Sequence, residues 1–145
     1  METDLNKLRD RAYSIAKEHG FHEKEVSDET YLMLIITEIA EAVNADRKGH
    51  HSKLEKFEHQ IEYAKMHNVY SDDYFKSCFS YIKDSVEDEL ADVAIRLLYF
   101  AGARKLDINI DGFKQYYPHV RERYTFVENC FQITSYLTTD SIDVR

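Results

Sequence analysis

The chain has 145 residues, of which 43% are hydrophobic and 13% aromatic, so it can form a core and is not intrinsically disordered as a whole. Its 27 acidic and 19 basic residues give a net charge of −8, which argues against a nucleic-acid-binding surface. Two cysteines, the lack of a signal-peptide pattern and the lack of a bilayer-spanning apolar run predict a cytoplasmic protein without membrane contact.

Helical spacing of apolar residues begins near the N-terminus, and one proline and four glycines leave little to interrupt it. A first helix is predicted to end at Gly20. The second begins near Ser27 or Asp28 and extends to about Lys48. Its apolar stripe consists of Leu32, Ile35, Ile36, Ile39 and Val43. This stripe predicts the buried face of the second helix.

The rest of the chain also fits helices. Ser52 and Glu55 have the spacing of a capping box for a third helix, and a short aromatic helix is predicted within residues 74–82. Ser85 is predicted to cap a further helix, and a last helix is predicted across residues 120–131. The core face expected after Ser85 is Leu90, Val93, Ala94, Leu97 and Ala101. These patterns predict a single all-α domain over residues 1–145, built as a helical bundle.

Two pairs of acidic residues lie in the most apolar of these helices. Glu38 and Glu41 are predicted to lie opposite the apolar stripe of their helix, and Glu89 and Asp92 beside the core face of theirs. Each pair is three residues apart, so its carboxylates repel each other, and partial burial increases that cost. A hard divalent cation such as Mg²⁺ or Mn²⁺ would remove the conflict, because it takes oxygen ligands.

Acidic pairs with this spacing also occur by chance on solvated helices, since glutamate is a good helix former. Spacing alone therefore leaves metal binding and surface decoration as equal alternatives. Two other metal-dependent classes are excluded. None of the seven histidines has a glutamate three residues before it, as ferritin-like di-iron bundles require. The sequence also lacks the His-Asp dipeptide of His-Asp phosphohydrolases.

Longer motifs surround the acidic pairs. "EIAEAVNADRKG" at 38–49, "KDSVEDELADVAIRLLYFAG" at 83–102 and "LDINID" at 106–111 resemble the MazG-like all-α nucleoside triphosphate pyrophosphohydrolases. The family pattern is E-x-x-E on one helix and E-x-x-D on the next. The resemblance covers about residues 20–112, and residues 113–145 are predicted to form a C-terminal helical extension.

This resemblance implies Mg²⁺-dependent cleavage of a nucleoside triphosphate between its α and β phosphates, which gives a monophosphate and pyrophosphate. It implies that Glu38, Glu41, Glu89 and Asp92 bind the metal ion, Mg²⁺ or Mn²⁺, and form the catalytic carboxylate cluster. No single member of the cluster is assigned as the base. The resemblance also implies a homodimer or homotetramer in which helices from more than one subunit complete the site.

Candidate substrate-binding residues are Lys83, Arg96, Phe21 and His22. The two cations would contact phosphates, although solvation of Lys83 and an ion pair between Arg96 and Asp92 are open alternatives. The aromatic pair before the second helix would stack on a base or simply pack. Many relatives carry a lysine and an asparagine after the last motif, and this chain has no equivalent. The alternative function is therefore a catalytically silent, MazG-like oligomer that binds a nucleotide or a protein.

Overall fold

The computed structural model of the protein describes residues 4–21, 26–109 and 124–139, and all regular structure in these ranges is α-helical. The helices are α1 Leu5–Glu18, α2 Asp28–Arg47, α3 Leu54–His67, α4 Asp72–Phe79, α5 Val86–Ala103 and α6 Phe126–Thr139. The predicted all-α class is confirmed. None of these six helices is both long and apolar enough to cross a membrane. His22 and the predicted start of the last helix at Val120 lie outside the described residues.

Local sequence signals determine several helix ends as expected. Gly20 and Gly49 follow α1 and α2 with φ angles of 79° and 63°, a left-handed conformation that glycine adopts without strain. The Ser85 hydroxyl accepts a hydrogen bond from the Asp88 amide at 3.3 Å and so caps α5. The prediction of these boundaries from the sequence is confirmed.

The predicted capping box at Ser52 and Glu55 is wrong. Helix α3 has Lys53 at its N-cap, without a capping side chain. The Ser52 amide instead donates to the Glu87 carboxylate at 2.7 Å, and the Lys53 amide donates to the Tyr81 carbonyl at 2.8 Å. Because distant residues satisfy these donors, the local cap is not needed.

A capping box that the sequence analysis missed begins α6. The Thr125 hydroxyl accepts from the Glu128 amide at 3.3 Å, and the Glu128 carboxylate accepts from the Thr125 amide at 2.7 Å. This amide lowers the pKa of Glu128 below its usual value. The Thr-x-x-Glu spacing was the available signal.

The chain forms two compact units, one containing Met1–Ile39 and Asp92–Arg145, the other Ala40–Ala91. Their boundaries fall inside α2 and α5, so each of these helices contributes to both units. The first unit contains α1 and α6, and the second contains α3 and α4. The single-domain organisation stays a prediction.

Ile35 and Ile39 of the predicted α2 stripe are buried, which confirms that face, whereas the position of Glu38 and the buried face of α5 differ from the prediction. Glu38 stands three residues after Ile35 and four before Ala42, and both neighbours are fully buried, so Glu38 lies in line with the buried face of α2. On α5, Val93 and Ala101 are buried as predicted, whereas Leu90, Ala94 and Leu97 are exposed. Other buried residues of α5 are Val86, Glu89 and Tyr99. The apolar pattern of α5 permits more than one buried face, and tertiary packing selects among them.

Aromatic contacts hold the second unit together. The rings of Phe57 on α3 and Phe79 on α4 lie 5.6 Å apart. The Tyr74 hydroxyl donates to the backbone carbonyl of Gln60 at 3.1 Å and to its side-chain oxygen at 2.8 Å. The predicted short aromatic helix therefore exists as α4, and it packs on α3.

Gly102 marks a close approach of α5 to α1 in the first unit. A Cβ atom at this position would lie 2.7 Å from the Tyr13 Cβ atom and 3.3 Å from the Arg9 carbonyl oxygen. Alanine normally favours a helix over glycine by about 1 kcal/mol. Here we expect Gly102→Ala to destabilise the protein by about 1–2 kcal/mol in urea denaturation, because overpacking outweighs propensity.

The matched control for this prediction is Ala94→Gly, at an exposed position of the same helix. There alanine should be the better residue, and its loss should cost about 1 kcal/mol. Stabilisation by Gly102→Ala would show that α1 does not approach α5 this closely.

Candidate metal and substrate site

Helix α2 holds Glu38 on its buried side. Its side chain is only 12% exposed, and the neighbouring turns carry the fully buried Ile35 and Ala42. A carboxylate in such a position needs a charged or hydrogen-bonding partner, since its desolvation is otherwise costly. Glu38 is therefore more than surface decoration.

Three of the four predicted carboxylates converge. One oxygen each from Glu38, Glu89 and Asp92 lies within 4.8 Å of the other two. Glu89 is 7% exposed, and Asp92, one helical turn later on α5, is exposed to solvent. Glu41 is exposed on α2 and does not belong to this group. We call Glu38, Glu89 and Asp92 the acidic triad.

Arg96 joins the triad through a direct ion pair. Its Nε atom donates to the Glu38 Oε1 atom at 3.0 Å, and the arginine side chain is 37% exposed. The spacing of Arg96 one turn after Asp92 suggested an ion pair between these two residues as an alternative. The structure instead pairs Arg96 with Glu38, 58 residues away in sequence.

The composition of the triad fits a hard divalent cation. Three carboxylates this close repel one another unless a cation or a proton lies between them. Mg²⁺ and Mn²⁺ prefer carboxylate oxygens, and Mg²⁺ is commonly held by one or two carboxylates together with substrate phosphates and water. The residues present thus fit such an ion, with Asp92 as the member open to solvent.

A groove of about 680 Å³ lies between α1 and α5 in the first unit. Its walls are mostly apolar, and the titratable lining residues are Arg11, His19, Asp92, Arg96 and Tyr99. The full lining is Leu8, Arg11, Ala12, Ile15, Ala16, His19, Phe21, Asp92, Ile95, Arg96, Leu98 and Tyr99. Pockets of this size commonly bind small molecules. Asp92 belongs to both the groove and the acidic triad, so a ligand in the groove would reach the triad.

Arg11 and His19 were missed in the sequence analysis. Arg11 on α1 and His19 directly after it continue the apolar stripe Leu8, Ala12 and Ile15 at spacings of three or four residues. Polar residues within the apolar stripe of an amphipathic helix were the available signal. Its meaning depended on knowing that α5 packs opposite.

The backbone of Phe21 is bonded by Tyr99, which in turn contacts Tyr31. The Tyr99 hydroxyl donates to the Phe21 carbonyl at 3.3 Å, and the Tyr31 hydroxyl donates to the Tyr99 hydroxyl at 3.5 Å. Burial raises the pKa of Tyr99, so its hydroxyl keeps its proton and remains a donor at neutral pH. The structure therefore places Phe21, a predicted base-stacking residue, in the groove wall.

Lys83, by contrast, is exposed in the second unit and does not line the groove. Its contact with substrate stays a prediction, as does the role of His22, which lies outside the described residues. The MazG-like resemblance rests on the motifs that supply Glu38, Glu89, Asp92 and Arg96. No protein-family model, curated protein or solved structure matches this chain.

Proposed function

We propose that this protein is a Mg²⁺- or Mn²⁺-dependent nucleoside triphosphate pyrophosphohydrolase that gives a nucleoside monophosphate and pyrophosphate. The observation that carries this proposal is the convergence of Glu38, Glu89 and Asp92 beside a groove of about 680 Å³. The motif resemblance supports the same reaction.

The acidic triad would hold the metal ion, with Glu41 as a further predicted ligand one turn after Glu38. A bound Mg²⁺ ion neutralises phosphate oxygens and lowers the pKa of a bound water. A carboxylate of the cluster that is not fully engaged with the ion can accept the proton of the attacking water. The chain thus supplies both the ligands and the proton acceptor that the reaction requires.

Arg96 would bind phosphate while it orients Glu38. Guanidinium has five N–H donors, and its Nε donor already bonds the Glu38 carboxylate. The remaining donors lie on a side chain that lines the groove, where phosphate oxygens would accept hydrogen bonds from them. Arg96 therefore links substrate binding to the geometry of the triad.

A cytoplasmic homodimer or homotetramer is part of the proposal. Several large apolar side chains of the first unit are exposed on α5 and α6, including Ile95, Val127, Phe131 and Ile133. Exposed apolar patches often mark subunit contacts. The same residues favour the alternative function, a catalytically silent oligomer that binds a nucleotide or a protein.

The decisive experiment is a pyrophosphate-release assay on a panel of canonical and modified nucleoside triphosphates, with Mg²⁺ and with EDTA. We expect Mg²⁺-dependent release of pyrophosphate, and of the matching monophosphate, from at least one nucleotide. Release of inorganic phosphate alone would indicate a different cleavage site. Lack of any product across the panel would reject the enzyme and leave the silent oligomer as the better hypothesis.

A further inference from the structure

The two helices that form the groove run antiparallel. Near the start of α1, Arg9 donates to the carbonyl of Leu106, just after α5, at 2.7 Å. After the end of α1, the Phe21 carbonyl accepts from Tyr99, which lies earlier in the chain than Leu106. Later residues of α1 therefore face earlier residues of α5.

This orientation gives the groove two chemically different ends. His19 and Phe21 lie toward the end that holds Asp92, and Arg11 lies toward the opposite end. Eight residues separate Arg11 from His19, which corresponds to about 12 Å along a helix. Apolar side chains line the walls, among them Ile15, Ile95 and Leu98.

Arg11 is the uncommitted cation of this groove. Three other arginines of the first unit are engaged, namely Arg9 with Asp10, Arg96 with Glu38 and Arg104 with Asp28. Arg11 makes no hydrogen bond or ion pair within residues 4–21, 26–109 and 124–139. Its guanidinium offers donors and no acceptor. A ligand group that meets Arg11 should therefore carry acceptors.

We propose that the Arg11 end of the groove binds the nucleotide base and that Arg11 selects guanine over adenine. The inference rests on the proposed function, which places the phosphates at the Asp92 end. A ribose and a base then extend along the apolar walls toward Arg11, away from Phe21, so this assignment replaces base stacking on Phe21 with the alternative that its ring packs. Guanine presents O6 and N7 as adjacent acceptors for a guanidinium, whereas adenine has a donor amino group in place of O6.

Calorimetric titration of the full chain with GMP and with AMP, in the presence of Mg²⁺, tests this assignment. The wild type should bind GMP at least about tenfold more tightly than AMP. Arg11→Gln should abolish this preference, because a glutamine amide pairs well with adenine N6 and N7. Lys17→Gln removes the same charge from the same helix outside the groove lining, and it should preserve the preference.

Three results would overturn the assignment: equal or tighter binding of AMP by the wild type, an unchanged preference in Arg11→Gln, or no binding of either monophosphate. Binding of GMP requires no cleavage, so the two proposals fail separately. Arg11-dependent GMP binding without pyrophosphate release contradicts only the proposed activity. Pyrophosphate release with a GMP preference independent of Arg11 contradicts only the assignment of the base site.

Discussion

Replacement of Asp92 by asparagine should abolish Mg²⁺-dependent pyrophosphate release while the protein stays folded. Asparagine keeps the shape of the side chain and removes the negative charge that the acidic triad would offer to the ion. The loss should exceed the roughly 100-fold that removal of an outer-shell partner typically costs a metal enzyme. Steady-state assays at several Mg²⁺ concentrations measure it, and circular dichroism with thermal melting verifies the fold.

The matched control is Asp73→Asn, which removes the same charge from an exposed position on α4. It should retain wild-type turnover and the wild-type dependence on Mg²⁺. Glu38→Gln should resemble Asp92→Asn, because both residues contribute an oxygen to the triad. Full turnover in either triad variant would contradict the assignment of the acidic triad as a metal site.

Truncation of Ile35 to alanine should produce a large loss of stability. Ile35 is fully buried, so the change removes buried apolar surface and leaves a cavity. We expect the free energy of unfolding to fall by about 2–5 kcal/mol, measured by urea denaturation followed by circular dichroism.

Leu34→Ala is the matched control, because it removes a side chain of similar size from the adjacent position. Leu34 is 38% exposed, so its truncation should cost about 1 kcal/mol or less. Comparable losses for the two variants would mean that α2 is rotated relative to the orientation described. Such a rotation would also remove Glu38 from the acidic triad.

The acidic residues of the candidate site were identifiable from the sequence, and their grouping was not. Regular spacing brought Glu38, Glu41, Glu89 and Asp92 to attention, since carboxylates one turn apart on apolar helices conflict with burial. Both pairs have the same three-residue spacing, so spacing could not separate Glu41 from the other three residues. Only the contacts of α2 and α5 group Glu38 with Glu89 and Asp92 and leave Glu41 exposed outside the triad.

The partners of the basic residues were harder to predict, because they also depend on how the helices pack. Arg96 is one turn from Asp92 in sequence, yet its ion pair joins a residue 58 positions away. Arg11 belongs to none of the sequence motifs. It became a candidate ligand-binding residue only because α5 forms the opposite wall of a groove that Arg11 lines. Side chains with long, flexible stems reach partners that helical periodicity does not encode.

The amino-acid pattern alone was sufficient for the all-α class and for several helix ends, because helix periodicity and capping act within a few residues. Gly20 and Gly49 follow the ends of α1 and α2, and Ser85 caps α5, as predicted. Tertiary structure decided which face of α5 is buried. Leu90, Ala94 and Leu97 are apolar and exposed, while Glu89 is charged and buried. Burial depends on what packs against a helix, and that information resides in residues distant along the chain.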